Sequence, residues 1–319
     1  MLFRSVMEHL PDPSQQLLEF HGMLSASGRM VTNWYFSKGQ DLEFPFHLDD
    51  AVTIDKFSHP TFLPFNTNFM QTFPVPSELN GYWQDAFDLK QHLQQFLGID
   101  ADKLECKFAT ALQDLAELGR LDFDWEEATA FYRDKVGEAY LFELATWHLT
   151  STDYIGDTLR LVSDKSQGRV LDFGGGIGTH AIAAALCPAV TQVVYCDLNP
   201  INYNFVKHRI QQLGLESKIT CCMELAPNET FDTINCFDVM EHLPDPSQQL
   251  LQFHGMLSES GRMVTNWYFS KGQDLEFPFH LDDAVTVDRF FHTLQANFLE
   301  VFHPYFITTR CYRKMGWQI

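Results

Sequence analysis

Two segments of the sequence carry residue types that could hold an adenosine-containing ligand. The first is Asp172-Phe-Gly-Gly-Gly-Ile-Gly178, in which closely spaced glycines let the backbone approach a ligand and adopt positive φ angles. The second is Asp197, about 20 residues further on, where a carboxylate can accept hydrogen bonds from both hydroxyl groups of a ribose. Together they predict an adenosine-containing cofactor, and a dinucleotide also fits them.

The spacing of the glycines bears on that choice. A dinucleotide site has the pattern G-x-G-x-x-G or ends in Ala, and counted from Gly174 the last position is Thr179. No lysine follows the glycines, as a phosphate-binding loop would require. A dinucleotide-dependent oxidoreductase is therefore a distant alternative.

These residues follow predicted strands, because strand-like and helix-like segments alternate from Arg169 onward. The predicted strands are Val170–Phe173, Thr191–Tyr195, Ile219–Cys222, Phe231–Phe237, Arg262–Phe269, Phe298–Phe302 and Phe306–Tyr312. The predicted helices are Thr179–Leu186, Asn204–Leu213, Ser247–Met256 and Val285–Leu294. This alternation is typical of a doubly wound α/β sheet that binds ligands at the carboxyl ends of its strands.

The arrangement resembles the class I, Rossmann-like S-adenosylmethionine-dependent methyltransferases, over about Gln167 to the C-terminus. Phe237-Asp-Val-Met-Glu-His-Leu-Pro-Asp-Pro246 is similar to the D-V-x-E-H-x-x-D-P stretch of small-molecule methyltransferases of the ubiquinone-biosynthesis type. Gly255–Arg262 is similar to the turn into their fifth strand. The resemblance implies a mostly parallel seven-stranded sheet with an antiparallel last strand. It also implies S-adenosyl-L-methionine as cofactor and S-adenosyl-L-homocysteine as product.

The resemblance assigns roles to particular residues. His242 is the first candidate for a general base if the acceptor is a hydroxyl, with Glu241 second, since a histidine near its ordinary pKa suits that task. The other interpretation is that His242 only holds its loop through hydrogen bonds. No metal ligand is expected. The expected cofactor-binding residues are Asp172, Gly174, Gly175, Gly176, Gly178, Asp197, Leu198, Glu224, Phe237 and Asp238.

The composition of the chain limits the classes of substrate and binding surface that the sequence predicts. The chain has 319 residues, with 22 basic and 42 acidic side chains, and so a formal net charge of −20. Such a surface repels phosphates and argues against nucleic-acid substrates. No apolar run approaches the roughly 20 residues that span a bilayer, and the seven cysteines form no C-x-x-C pair. We expect a cytoplasmic protein that acts on a small or medium organic molecule, without membrane insertion.

A segment of the chain occurs twice. Met7–Asp55 and Met240–Asp288 differ at three positions, Glu19/Gln252, Ala26/Glu259 and Ile54/Val287. The first copy has only Met1–Val6 in the place of the predicted strand Phe231–Phe237, so the second copy is expected to occupy the working fold. The first copy would pack peripherally, exchange with a partner chain or remain loosely ordered, and it could also be an error in the gene model. Exchange makes a homodimer through the duplicated segment a hypothesis.

The expected organisation has three parts. Residues 1–59 are the partial copy of residues 234–292, residues 60–166 are a linker and a helical lid, and residues 167–319 are the cofactor-binding core. Apolar residues spaced three and four apart predict helices from Tyr82 onward. The many aromatic side chains there are interpreted as helix packing rather than as a substrate wall. Two alternatives to methyl transfer stay open: other S-adenosylmethionine chemistry on the same scaffold, and a degenerate, non-catalytic binding protein.

Overall fold

A computed structural model describes residues 76–122, 128–272, 277, 279–301 and 309–315. The chain divides into two compact units, Met1–Pro74 and Val75–Ile319, and the described residues all belong to the second. The N-terminal copy of the duplicated segment, the proline-punctuated linker up to residue 75 and the predicted strand start at Phe306 lie outside the described residues. The second unit contains both the helical region and the sheet.

The second unit is built on one seven-stranded sheet with the order β3-β2-β1-β4-β5-β7-β6. The first five strands in that order are parallel to one another, whereas β7 is antiparallel to both β5 and β6. The mostly parallel sheet with an antiparallel last strand is thus confirmed. The strands are β1 Gly168–Phe173, β2 Val190–Cys196, β3 Ile219–Cys222, β4 Phe231–Cys236, β5 Leu257–Thr265, β6 Phe298–Val301 and β7 Arg310–Lys314.

Helices precede the sheet and then alternate with its strands. They are α1 Asn80–Asp85, α2 Leu89–Leu97, α3 Ala101–Asp122, α4 Ala128–Ala130, α5 Gly137–Thr150, α6 Thr152–Lys165, α7 Thr179–Leu186, α8 Pro200–Gln212, α9 Pro246–Met256 and α10 Ala284–Asn297. A π-helical turn, Phe131–Lys135, joins α4 to α5, and a 3₁₀ turn, Met240–His242, precedes α9. The predicted helical N-terminal region is therefore present, as α1 to α6.

Local sequence signals fix where the helices after the strands begin. Asn199 precedes Pro200, and its side chain accepts hydrogen bonds from the backbone N–H groups of Ile201 and Asn202. Asp245 precedes Pro246 in the same way and caps α9. A polar cap followed by proline at the first helical position satisfies the free N–H groups of a helix start. These caps set the loops at the carboxyl ends of β2 and β4.

The core lies on both faces of the sheet. Val170, Val193 and Tyr195 belong to one buried cluster together with the helical region, α7 and α8. Their neighbours along the strands, such as Leu171 and Val194, belong to the other cluster, with α9 and α10. This alternation follows from the two-residue period of a strand, which turns successive side chains to opposite faces.

The prediction for the fifth strand needs a correction. A turn was expected at Gly255–Arg262, followed by a strand to Phe269, but β5 already begins at Leu257 and ends at Thr265. Leu257 is buried and pairs with Phe231, and the register then shifts before Arg262 pairs with Thr233. The segment expected to be a turn is thus an irregular stretch within the strand. Burial of Leu257 against β4 is a tertiary effect that the local pattern does not report.

Among the described residues, no helix combines the length and the apolar character needed to cross a membrane.

Candidate active site

The glycine loop after β1 packs closely against neighbouring elements. Gly174 has φ +66°, and a Cβ atom there would overlap the side chain of Val239 in the loop after β4. At Gly175 a Cβ would overlap the carboxylate of Asp172 and the ring of Tyr195. The loop thus requires glycine both for backbone conformation and for space.

Asp197 holds the loop from the end of β2. One carboxylate oxygen accepts a hydrogen bond from the backbone N–H of Gly176 at 2.8 Å, and the other accepts from that of Asn199 at 2.8 Å. Burial raises the pKa of Asp197 to about 6, although these two backbone bonds act in the opposite direction. Each oxygen keeps a further lone pair for a ligand hydroxyl.

A cavity of about 560 Å³ opens at the carboxyl ends of the strands. The predicted site residues on its wall are Gly174, Asp197, Leu198, Glu224, Asp238 and His242. The wall does not include the other predicted residues, Asp172, Gly175, Gly176, Gly178, Phe237 and Glu241. The structure therefore brings the loops after β1, β2, β3 and β4 together around one space, as the doubly wound fold predicts.

Two of the predicted residues lie behind the wall. Asp172 is 1% exposed, lies under the glycine loop, and has a pKa raised by burial to about 7. Phe237 is buried and stacks on the ring of His180, with centroids 4.2 Å apart. In this structure both residues support the loops that border the cavity.

His242 is held by its neighbours. Its Nδ1 lies 2.8 Å from the hydroxyl oxygen of Tyr132 and 3.3 Å from the carbonyl oxygen of Phe279. The Phe279 carbonyl can only accept, whereas the Tyr132 hydroxyl can accept or donate, so both contacts are satisfied together only when the proton is on Nδ1 and the lone pair is on Nε2. Burial, followed by the nearby His280, lowers the pKa of His242 to about 3. The ring is therefore neutral at physiological pH and a weaker base than a histidine with an ordinary pKa.

Glu241 is more deeply buried than His242. Its side chain is 1% exposed, and Oε1 accepts a hydrogen bond from the backbone N–H of Tyr268 at 3.0 Å. Burial and the charge of Asp238 raise the pKa of Glu241 to about 8. It lies behind His242 and joins the 3₁₀ turn to the segment after β5.

Asp238 borders the cavity and lies near a second carboxyl group, that of Glu143, which does not border it. Asp238 accepts hydrogen bonds on Oδ1 from the Tyr154 hydroxyl at 2.7 Å and from the Asn266 amide at 3.1 Å. Its Oδ2 is buried and has no hydrogen-bond partner among the described residues. Burial raises the pKa of Asp238 to about 6, and burial together with Asp238 raises that of Glu143 to about 7. A cationic ligand would relieve this repulsion.

The helical region supplies wall residues that the sequence interpretation missed. Tyr132 of the π-helical turn and Tyr140 of α5 both border the cavity, and their rings lie 5.6 Å apart. Arg133 borders it as well, with its guanidinium paired to Asp134 at 3.0 Å. The two tyrosines pack in the core, as interpreted, and they border the cavity as well. The density of aromatic residues over 131–147 was the available signal.

One family model matches the part of the chain that carries this geometry. Residues 146–283 match the family described as a methyltransferase domain. This match confirms the resemblance to class I methyltransferases over that part of the chain. The comparison with enzymes of the ubiquinone-biosynthesis type stays a prediction.

A curated relative is the ribosomal RNA small subunit methyltransferase G of Acinetobacter baumannii. It is 32% identical over 84 residues, which are 26% of this chain and 40% of the relative. The chain thus aligns with less than half the length of that relative.

Solved structures give distant likenesses. An S-adenosylmethionine-dependent methyltransferase from Clostridium acetobutylicum has a TM-score of 0.37 and 14% identity, over 63% of this chain and 96% of that one. The O-methyltransferase of a trans-AT PKS multienzyme of Brevibacillus brevis, in complex with S-adenosyl-L-homocysteine, has a TM-score of 0.38 and 18% identity. It covers 50% of this chain and 58% of that one.

Proposed function

We propose that the protein transfers the methyl group of S-adenosyl-L-methionine to a small or medium organic acceptor, which the match of residues 146–283 to a methyltransferase domain supports. The observation that carries the proposal is the cavity at the carboxyl ends of β1, β2 and β4. The glycine loop and the buried carboxylate of Asp197 meet at its edge.

The residues present fit the cofactor by shape and by hydrogen bonding. Asp197 would accept the two ribose hydroxyls, since each of its oxygens has a lone pair left after its backbone bond. Leu198 and the loop that contains Glu224 border the same space and would hold the adenine. The cavity of about 560 Å³ lies within the range typical of small-molecule sites.

The residues also fit the cofactor by charge. S-adenosyl-L-methionine carries a sulfonium and an ammonium group, and the cavity has a buried carboxylate oxygen on Asp238 with no hydrogen-bond partner among the described residues. A positive ligand near Asp238 would be attracted in an environment of low dielectric. Asp197, Glu224 and Asp238 together form an acid-rich wall of the cavity, and this wall supports a positively charged cofactor.

The chain's own task in the reaction is positioning. The bound cofactor supplies a methyl group that is already electrophilic, so alignment of the acceptor accounts for much of the rate enhancement. His242 borders the cavity with its Nδ1 held by Tyr132 and Phe279, and we assign its ring to orienting the acceptor. Glu241 would act through His242, by holding the turn that carries it.

The acceptor is proposed to be a small molecule with an apolar or aromatic part. Tyr132 and Tyr140 give the cavity an aromatic wall, and the helical region that carries them would act as a lid. The relative named above is an rRNA methyltransferase, which makes RNA the competing acceptor. A net charge of −20 opposes binding to a phosphate backbone. Incorporation of labelled methyl into RNA rather than into small phenols or amines would reverse this choice.

The first test is calorimetric titration of the full chain with S-adenosyl-L-homocysteine. Replacing Asp197 by Asn should weaken binding by about 1–3 kcal/mol, the scale of lost charged hydrogen bonds. Glu224→Gln should also weaken binding, and it avoids the loop contacts that Asp197 makes. The exposed Asp102→Asn serves as control and should bind like the wild type. Folded wild-type protein that binds neither cofactor nor product would refute the proposal.

Product analysis separates methyl transfer from other chemistry on the same cofactor. Methyl transfer leaves S-adenosyl-L-homocysteine, whereas aminocarboxypropyl transfer leaves methylthioadenosine. Binding of the cofactor without either product, across a panel of acceptors, would favour a non-catalytic binding protein.

The N-terminal copy is proposed to be catalytically idle. It repeats Glu241 and His242 as Glu8 and His9 but has no counterpart of the glycine loop or of Asp197. His242→Gln should therefore reduce turnover, and His9→Gln should not. A monomer of constant mass over a wide concentration range would contradict a homodimer formed through this segment.

A further inference from the structure

Three side chains with metal-ligating atoms converge beside the cavity. They are Glu241 and His242 of the 3₁₀ turn after β4 and His280 of the segment before α10, and one ligand atom from each lies within 4.8 Å of the others. We propose that these three residues form a binding site for a divalent transition-metal cation such as zinc.

The two imidazole rings are oriented as metal ligands are. Nδ1 of His242 lies 3.3 Å from the carbonyl oxygen of Phe279 and 2.8 Å from the hydroxyl of Tyr132, which can accept from the same N–H. Nδ1 of His280 contacts the carbonyl oxygen of Tyr268 at 2.8 Å. A histidine that binds a metal through one nitrogen usually donates its other N–H to a carbonyl or a carboxylate. Here the carbonyl bonds fix both rings and leave Nε2 of each as the ligand atom.

One oxygen of the Glu241 carboxylate is available to bind a cation. Oε1 accepts the backbone N–H of Tyr268, whereas Oε2 is buried and has no hydrogen-bond partner among the described residues. A buried carboxylate oxygen without a partner is costly. A cation bound to Oε2 would supply the missing interaction.

The two segments that carry the ligands are tied together. The backbone N–H of Leu281 donates to the carbonyl oxygen of Glu241 at 2.7 Å, next to His280. The His242 and His280 rings lie edge to face, with centroids 4.7 Å apart. Donor atoms around a four-coordinate zinc ion lie about 3.4 Å apart. Binding of the cation would therefore draw these ligand atoms closer together.

The ligand types select the class of cation. Two imidazoles and one carboxylate suit zinc and ferrous iron, whereas magnesium and calcium prefer oxygen ligands. Three protein ligands leave at least one coordination position open. Because His242 borders the cavity, that position would be accessible to an oxygen or nitrogen atom of a molecule bound there.

The duplicated segment offers a matched control. His47, Glu8 and His9 repeat His280, Glu241 and His242 in almost identical sequence. The chelator-treated full chain is equilibrated with Zn²⁺ and the bound metal is measured. The site predicts that His280→Ala loses one equivalent of tightly bound zinc and that His47→Ala does not lose this equivalent. Glu241→Gln should weaken binding at least tenfold.

Cobalt reports the same site by a second measurement. Co²⁺ should give visible absorption bands of a low-symmetry site in the wild type and in His47→Ala, and these bands should vanish in His280→Ala. If His280→Ala does not fold, His280→Asn replaces it, because an amide can still donate to the Tyr268 carbonyl while it removes the imidazole. Wild-type protein without tight zinc, or a His280 variant that retains it, would overturn the proposal. Titration of the same samples with S-adenosyl-L-homocysteine tests the proposed methyl transfer separately.

Discussion

The guanidinium group of Arg209 in α8 donates a hydrogen bond to the carbonyl oxygen of Ile177 in the glycine loop, at 2.8 Å. The same group donates to the carbonyl oxygens of Ala86 and Phe87, at 2.8 and 3.1 Å. Ala86 and Phe87 have φ angles of +54° and +58°, a conformation that costs a residue with a side chain roughly 1–2 kcal/mol. A single buried cation thus fixes the glycine loop and a strained turn of the helical region.

We expect Arg209→Met to destabilise the second unit, because it leaves three buried carbonyl groups without a donor and each such loss costs about 1–3 kcal/mol. The variant should also weaken binding of S-adenosyl-L-homocysteine, since the Ile177 carbonyl would be released. Denaturant unfolding and calorimetry measure the two effects. The exposed Arg289→Met should cost under about 1 kcal/mol. A loss equally small at Arg209 would contradict the role given to its guanidinium.

Gly174→Ala should reduce affinity for S-adenosyl-L-homocysteine at least tenfold, measured by calorimetry. The new methyl group would overlap the side chain of Val239, and the alanine would also have to adopt a positive φ angle. Adding Val239→Ala should recover part of the loss, because it removes the overlap but not the backbone strain. Gly255→Ala is the control, since a Cβ there meets nothing within 4 Å and alanine favours the helix. If the double variant recovers no affinity, the whole loss comes from the positive φ angle, and the overlap with Val239 contributes nothing.

The sequence predicts the parts of the site that depend on local signals. The glycines after β1 and Asp197 after β2 are recognised within a few residues, and they follow the strands as expected. The polar caps before Pro200 and Pro246 are local signals of the same kind, but they were not used, and the helix predicted from Asn204 begins at Pro200. These features share a property, since the backbone conformation that they require is set by the residues themselves.

The parts that depend on distant packing were not predictable. Tyr132 reaches His242 across 110 positions of sequence, and only the packed structure brings them to 2.8 Å. The low pKa of His242 has the same origin, because burial by other elements sets it. His280 approaches Glu241 only because the chain, after leaving β5, returns to the turn that follows β4. A pattern of residue types reports none of these contacts.

The preference of the protein for S-adenosyl-L-methionine over S-adenosyl-L-homocysteine should increase between pH 5.5 and 8. Burial raises the pKa of Asp197 to about 6 and, with Asp238, that of Glu143 to about 7. A cationic ligand binds best when the carboxyl groups are ionised. Its affinity therefore reaches its maximum above these pKa values and falls as the pH drops through them. S-adenosyl-L-homocysteine lacks the sulfonium charge and should respond less.

The measurement is the ratio of the two dissociation constants at each pH. The ligand amino group titrates in both compounds and cancels in the ratio, and each linked carboxyl can contribute up to about tenfold per pH unit. Glu143→Gln should flatten the profile in the range around pH 7. A ratio that is constant across the range would contradict the proposed attraction between the acid-rich wall and the cofactor.

The two copies of the duplicated segment can be compared directly through one core residue. Leu250 in α9 is fully buried, and its counterpart in the N-terminal copy is Leu17. Leu250→Ala should lower the free energy of unfolding by about 2–5 kcal/mol, as removal of a buried leucine does. Leu17→Ala should change it by under about 0.5 kcal/mol, because the first copy is proposed to lie outside the working fold. Unfolding in denaturant and binding of S-adenosyl-L-homocysteine are measured on both variants. Equal losses would show that the first copy contributes a packed core of its own.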